Sequence, residues 1–166
     1  MTARALLPVH AAGLAVAALL VGGCGLSGEP ERDESGAIVE TAAAADIFSI
    51  AVGDCTNDPE DDDAEEVVSV EAVPCDGPHD NEAYHAEDLP DGEFPGEEAV
   101  LEAAEEICLS QFEAFVGLPY EESRLSVFPY RPTQEGWEQA EDREVLCMVY
   151  DTAGEPLVGS VAGIAE

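Results

Sequence analysis

Acidic residues dominate this chain so strongly that they restrict both how it can fold and what it can bind. Of its 166 residues, 38 are Asp or Glu and only five are Lys or Arg, so the formal net charge is −33 at pH 7. Self-repulsion at this charge opposes a compact state, and the fold therefore needs strong internal constraints. The same charge repels nucleic acid and anionic lipid headgroups, because contact with either adds like charges instead of releasing counterions. We expect no nucleic-acid partner.

An apolar run near the N-terminus ends at Cys24. Only Ala11–Val21 is uninterrupted, because Pro8 and His10 precede it and Gly22-Gly23 follows it. A membrane span needs about 20 predominantly apolar residues, whereas this length fits the apolar region of a signal peptide. The segment resembles the lipobox of bacterial lipoproteins, in which the signal is removed before the cysteine and that cysteine is acylated. An ordinary secretory signal or a retained span are the alternatives.

The chain divides by composition into three parts. Residues 1–23 are expected to be a lipoprotein signal peptide, and residues 24–45 a lipidated, flexible, acidic tether rich in Gly, Pro and Ala. Residues 46–166 are expected to form one domain. This organisation predicts a protein on the outer face of the cytoplasmic membrane, which it contacts through lipidated Cys24.

The apolar periodicity of residues 46–166 predicts an α+β domain. Apolar side chains recur every three or four residues from Glu97 to Val116, which predicts a helix, and Gly117 is placed to cap its C-terminus. Runs rich in β-branched and other apolar residues predict strands on both sides of this helix, at residues 46–52, 67–73, 82–86, 124–128, 144–150 and 157–161. Residues 129–140 are expected to form a loop or short turn. We therefore predict a single small domain with an antiparallel sheet packed on one main helix.

Four cysteines remain after Cys24, and in an exported domain they most simply form two disulfides. Three connectivities are possible; we favour Cys55–Cys75, which would join neighbouring strands, and Cys108–Cys147, which would join the helix to the strand beneath it. Each bond would contribute roughly 3–4 kcal/mol against self-repulsion. A metal site built on Cys55, Cys75 and His79 is the alternative, but the sequence has no Cys-x-x-Cys pair, so no metal or cofactor is expected.

Three short motifs occur in a fixed order along the domain. They are Gly-Asp-Cys at residues 53–55, Pro-Cys-x-x-Pro-His at 74–79 and Arg-x-x-x-Cys at 143–147, with Trp137 before the last. Together they resemble the septum-formation domain family of actinobacterial lipoproteins and membrane proteins, over about residues 48–163. The resemblance implies a link to cell division, without an established reaction. Relatives commonly read Gly-Asp-Arg where this chain has Glu141-Asp142-Arg143.

His79 is the polar residue best suited to acid–base chemistry. It could form an acid–base pair with Asp54, Asp80 or Glu82. The structural interpretation is that His79 caps its turn by bonding to backbone carbonyl groups, and that Asp54 similarly stabilises a turn. The structural interpretation is favoured for both residues.

Two further residues could contribute to binding. Arg143 is expected to pair with a carboxylate from the first half of the domain, and Trp137 is expected to cover the core, although it could instead stack on a ligand. No serine stands in a nucleophile elbow, and no glycine-rich phosphate loop occurs. The acidic run at residues 57–66 lacks the EF-hand pattern, so weak association with Ca²⁺ is the most it suggests.

These observations favour a non-enzymatic, lipid-anchored interaction module that recognises an envelope protein or cell-wall component during growth or division. The first alternative is an envelope hydrolase that uses His79 with a nearby carboxylate. The second is a purely structural lipoprotein whose main property is its acidic surface. A cleft that contains His79, Arg143 and a buried carboxylate would favour the hydrolase. A surface groove or apolar patch without convergent ionisable groups would favour binding.

Overall fold

The computed structural model describes residues 28–58 and 67–165. The main six-stranded sheet has the order β1-β3-β2-β5-β7-β6, and β4 pairs with β8. All pairings between these strands are antiparallel. The strands are β1 (Ala42–Asp46), β2 (Cys55–Asn57), β3 (Ser69–Val73), β4 (Pro78–His79), β5 (Asn81–Asp88), β6 (Leu125–Tyr130), β7 (Glu144–Asp151) and β8 (Leu157–Val158), and the helices are α1 (Glu97–Val116) and α2 (Gln134–Gln139). The predicted α+β class, with an antiparallel sheet and one main helix, is confirmed.

Helix α1 has the bounds that its sequence predicts. Its fully buried side chains recur every fourth residue and form one stripe against the sheet, at Val100, Ala104, Cys108, Phe112 and Val116. Glu97 and Glu98 lie in the first turn, where the helix dipole favours negative charge. Gly117 ends the helix in the left-handed conformation, with φ 87°, and its N–H donates to Glu113 O at 2.9 Å. A residue without Cβ is needed there for this cap.

Strand β7 lies between two hydrophobic clusters, one on each face of the sheet. Val145, Cys147 and Val149 belong to the cluster that contains the buried stripe of α1. The alternate residues Leu146 and Met148 belong to a second cluster, with side chains from β1, β3 and β5. This alternation follows from the period of two in an extended strand. The domain therefore has apolar packing on both sides of its sheet.

Two disulfides join elements that are distant in the sequence. Cys55 on β2 bonds to Cys75 in the turn after β3, and Cys108 on α1 bonds to Cys147 on β7. These are the two pairs that the sequence favours. Near the second bond, the hydroxyl of Tyr84 donates to Cys108 O at 2.6 Å, within the core. The helix is thus fixed to the sheet by a covalent bond and by a buried hydrogen bond.

The segment before residue 46 differs from the expected tether. Residues 42–46 form edge strand β1 on β3, and Ala45 is fully buried. Upstream, Arg32 and Ile38 form a β-bridge, and Ile38 is buried in the second cluster. The prediction of a flexible tether over residues 24–45 is therefore wrong for residues 28–45. Small alanine side chains allow β1 to pack closely, which a composition argument about flexibility does not consider.

The predicted strand at residues 46–52 is also wrong. The carboxylate of Asp46 accepts a hydrogen bond from Phe48 N at 3.0 Å and caps a single 3₁₀ turn, Ile47–Ser49. This turn ends β1 and leaves Phe48 exposed to solvent. Within residues 28–58 and 67–165, no helix has the length and apolar character needed to cross a bilayer. The expected signal peptide, Cys24 as the expected site of acylation, and most of the acidic run at 57–66 lie outside the described residues.

Candidate functional site

Asp54 of the Gly-Asp-Cys motif is a buried partner of the N-terminal segment. Its carboxylate accepts two hydrogen bonds from the guanidinium of Arg32, each at 2.6 Å, and one from Ala51 N at 2.7 Å. Only 3% of the Asp54 side chain is exposed. Hydrogen bonding to Asp54 raises the pKa of Arg32 although partial burial opposes this shift. The pair is bidentate, a strong form of ion pair, and it fixes residues 28–45 to the domain.

His79 lies on β4, directly after the turn that contains Cys75, and is almost fully buried. Its Nδ1 is 3.0 Å from Gly77 O, which requires the neutral ring to carry its proton on Nδ1. Within the described residues, Nε2 has no hydrogen-bond partner. This is the turn-capping arrangement that the sequence analysis favours.

The three carboxylates proposed as partners of His79 bond to other groups. Asp54 binds Arg32, and Asp80 accepts from Asp58 N at 2.9 Å. Glu82 is buried and accepts from Ser160 Oγ at 2.6 Å and from Val161 N at 2.7 Å. Glu82 therefore holds the C-terminal segment against β5, and the carboxylates around the His79 turn serve as structural acceptors.

Trp137 and Arg143 form one stacked unit at the other end of the domain. Trp137 is buried, and its indole Nε1–H donates to Gly92 O at 2.9 Å. The Arg143 guanidinium lies 3.8 Å from the centre of the indole ring and donates to the carbonyl oxygens of Trp137 and Asp142. Its Nε is 3.7 Å from Asp91, the carboxylate of the expected ion pair. Trp137 thus covers the core, and its ring face is occupied by Arg143.

The turn before Arg143 contains a residue in a backbone conformation that favours glycine. Glu141 adopts φ 56°, in the left-handed region that non-glycine residues rarely occupy. The turn at Glu141 therefore carries a cost in backbone strain. The three motifs build turns, a disulfide and a cation–π stack, and none of their functional candidates lines the groove described next.

A groove of about 640 Å³ opens where the two edges of the sheet approach each other. One side is formed by Asp46–Phe48, which ends β1, and by Val67 and Val68; the other is formed by the end of β6 and the start of β7. Because β1 and β6 are opposite edge strands, a shared groove requires the sheet to curl towards itself. The apolar lining consists of Ile47, Phe48, Val67, Val68, Leu101, Phe128, Pro129, Tyr130 and Leu146.

Exposed apolar side chains distinguish this groove from an ordinary surface. Phe48 is 75% exposed and Val68 is 68% exposed. Phe128 contacts Tyr130 edge to face, with ring centroids 5.3 Å apart, and also contacts Tyr150. Burial, together with the nearby Asp58 carboxylate, raises the pKa of Tyr130 to about 12, so its hydroxyl keeps its proton at neutral pH. The groove therefore offers an aromatic wall with a neutral hydrogen-bonding group.

Carboxylates surround the apolar lining. Asp46, Glu105, Asp142 and Glu144 line the groove, whereas its cation, Arg131, lies 3.4 Å from Glu97. The pKa of Glu144 is raised, mainly by partial burial and to a smaller extent by the carboxylates of Asp88 and Asp142. Asp88 and Glu144 are directly opposite each other on β5 and β7, an arrangement in which like charges destabilise a sheet. The groove is thus a site of unbalanced negative charge.

Glu144→Gln is expected to stabilise the domain at neutral pH. The pKa of Glu144 is higher in the folded state than in the unfolded state. Such a carboxyl contributes its full stability at pH values below its pKa in the unfolded chain. That stability is lost as the pH rises through its pKa in the folded protein. The ionised Glu144 therefore opposes folding at pH 7. Because the side chain is only partly buried and much of it is screened by solvent, the gain should be at most about 1 kcal/mol.

Urea unfolding at pH 7 and pH 4, at low and high salt, measures this effect. The gain should be largest at pH 7 in low salt and should disappear at pH 4. Glu102→Gln, on the exposed side of α1 and outside the groove, is the control for a general reduction of net charge. A gain from Glu144→Gln no larger than the gain from Glu102→Gln would contradict the local explanation.

The groove is suited to binding an apolar side chain. Its apolar side chains can bury a large side chain of a partner, and its volume is in the range of sites that enclose small ligands or side chains. Among the described residues, no group of three or more His, Cys, Asp or Glu side chains is placed to hold a metal ion. The groove is apolar, as the sequence analysis associates with binding, but four carboxylates line it, so that criterion is met only in part.

Sequence reasoning does not identify the groove residues. The sequence predicts Ile47 and Phe48 in a strand, and it predicts Phe128 in another strand without a functional role. One signal was available: Asp46 stands two residues before Phe48, which is the spacing of a side chain that caps a tight turn. That spacing predicts a break at Phe48, although it does not show which part of the molecule lies opposite.

Comparison with known proteins agrees with the motif-based resemblance. The model of the family described as Septum formation matches residues 52–165, which is more than half of the chain. Searches of curated proteins and of solved structures gave no significant match. The matched range covers both disulfides and all three motifs, but it begins after Arg32 and β1.

Proposed function

Because this chain belongs to the septum-formation family, we propose that it acts in cell division as a lipid-anchored interaction module of the cell envelope, with the groove as its binding surface. Family membership indicates a role related to cell division and agrees with an extracytoplasmic location in the envelope. The proposal adds the anchor at Cys24, the position on the outer face of the cytoplasmic membrane, and a protein or cell-wall component as partner.

The observation that carries the binding role is the exposed aromatic side chain at the groove. Phe48 projects from a capped turn while Val68 lies exposed beside it. Large apolar side chains that stay exposed together commonly mark an interaction surface. The partner would gain affinity by burying these side chains, and the domain would supply a rigid support through its disulfides.

The anchor is supported by the sequence and by the chemistry of the domain. The apolar segment before Cys24 has the length of a signal peptide, and two disulfides are expected of a protein in an oxidising compartment. Stable membrane attachment needs more than one acyl chain, a condition that a diacylated or triacylated cysteine would meet.

Intact mass spectrometry of membrane-extracted protein tests the anchor. The expected species begins at Cys24, carries a diacylglyceryl group and gains the mass of four hydrogens on reduction, two for each disulfide. Cys24→Ser should appear in the soluble fraction without the lipid mass. An unmodified wild-type chain that is soluble would contradict the proposal.

A further inference from the structure

The chain enters the described domain beside the groove. Asp46 N donates to Gly28 O at 2.5 Å, and Ser49 Oγ donates to the same carbonyl oxygen at 3.1 Å. A Cβ at residue 28 would lie 2.8 Å from Asp46 N, so the close contact requires glycine. Asp46 itself lines the groove. Gly28 is therefore held next to one wall of the groove.

Only three residues lie between Cys24 and this fixed point, so four Cα–Cα steps join Cys24 to Gly28. An extended chain spans at most about 3.6 Å per residue, so Gly28 can be no more than about 14 Å from the Cys24 Cα. If Cys24 is acylated, this limit keeps the Asp46 side of the groove close to the bilayer surface. The domain then has no long tether that would let it search the outer envelope.

Charge restricts which molecule can occupy a groove in this position. Four carboxylates line it, and Arg131, its cation, lies within ion-pair distance of Glu97. A second copy of this strongly acidic chain, an anionic lipid headgroup or an anionic polymer would add like charge. A cationic segment would instead balance the carboxylates, and the apolar walls would receive a large side chain between the charges.

We propose that the groove binds a short basic segment of a membrane protein, close to the outer end of one of its transmembrane helices, through an aromatic or large aliphatic side chain flanked by Lys or Arg. This inference rests on the proposed function, in particular on acylation of Cys24. The partner is thus defined by two properties, its positive charge and its closeness to the membrane.

Site-specific photocrosslinking in growing cells tests the proposal. Benzoylphenylalanine replaces Phe48 in the full-length chain, and in the control it replaces Val158 on β8. Val158 is 68% exposed and lies outside the groove lining. Both variants are checked for acylation and for two intact disulfides by intact mass before irradiation. The crosslinked peptides are then identified by mass spectrometry.

The expected result is a crosslink from position 48, several-fold stronger than from position 158, to a basic peptide adjoining a transmembrane segment of another protein. Adding Asp142→Asn and Glu144→Gln should reduce its yield several-fold. Crosslinks only to lipid or to a second copy of this chain would overturn the proposal. An acidic peptide, a peptide far from any transmembrane segment, or equal yields from both positions would also overturn it.

The two proposals fail in different ways. If the chain proves not to be acylated, the mass measurement contradicts the proposed anchor before any crosslink is examined. If the chain is acylated and the crosslinked peptide is remote from the membrane or acidic, the anchored module stands and the inference about its partner is wrong.

Discussion

Replacing Cys108 and Cys147 together by alanine is expected to lower the free energy of unfolding by about 4 kcal/mol. The bond closes a sequence separation of 39 residues, and both cysteines are fully buried between α1 and β7. Breaking it gives the unfolded chain more conformational freedom. Since small domains are stable by only about 5–15 kcal/mol, this loss is a large share of the total. Urea unfolding of the full-length chain, followed by circular dichroism, measures it.

The other disulfide is the matched comparison. Cys55–Cys75 closes a separation of 20 residues, so replacing that pair by alanine should cost less, about 3 kcal/mol. Cys75 is also partly exposed, so its replacement disturbs less packing. A larger loss from the Cys55–Cys75 pair than from the Cys108–Cys147 pair would contradict this account of how the helix is held.

Arg32→Met is expected to lower the free energy of unfolding by about 2–3 kcal/mol. Methionine keeps an apolar stem but leaves the Asp54 carboxylate buried, with Ala51 N as its remaining donor among the described residues. The backbone amides of residues 28–41 should then exchange their hydrogens with solvent more rapidly. Unfolding in urea gives the loss of stability, and hydrogen exchange of the backbone amides over residues 28–46 shows where it arises.

Two variants make this result specific. Arg131→Met removes a second arginine, whose Nη1 lies 3.4 Å from Oε2 of the exposed Glu97. This substitution should lower the free energy of unfolding by no more than about 0.5 kcal/mol. Adding Asp54→Asn to Arg32→Met removes the unpaired charge and should recover part of the loss. Equal effects of Arg32→Met and Arg131→Met would show that the Arg32–Asp54 pair does not hold the N-terminal segment.

Elements specified by local patterns are the ones the sequence predicts well. Helix α1 is visible because its apolar residues recur at helical spacing and Gly117 follows the last of them. The pairing of Cys108 with Cys147 can be predicted for a related reason. Cys108 lies on the apolar face of that helix, and Cys147 lies within a strongly apolar strand. Each of these signals lies within a few residues of the element it defines.

Long-range pairing that no cysteine marks is what the sequence does not reveal. The segment at residues 28–45 has a polar and alanine-rich composition typical of a tether, yet β1 pairs with β3 and Arg32 reaches Asp54, 22 residues away. Nothing local to Arg32 identifies its partner. The groove has the same origin, because Phe48 and Phe128 come together only through the curling of the sheet.

The motifs that identify the family are part of its scaffold. Asp54 holds the N-terminal segment, His79 closes a turn beside a disulfide, and Arg143 stacks on Trp137. The buried contacts of these three residues restrict which side chains can occupy their positions. The residues are therefore easy to recognise in the sequence, although they do not line the groove. The groove depends instead on exposed side chains, whose identity the fold does not dictate.

Rescue of septum formation in cells that lack the native copy tests most directly whether the groove is the working surface of this protein. The groove variant carries Phe48→Ser with Val68→Ser in the full-length chain, and the control variant carries Val158→Ser. All three positions are exposed, so each substitution should change the free energy of unfolding by no more than about 0.5 kcal/mol. At equal membrane levels and with both disulfides intact, the groove variant should fail to restore normal septa while the control restores them. Full rescue by the groove variant would contradict the account.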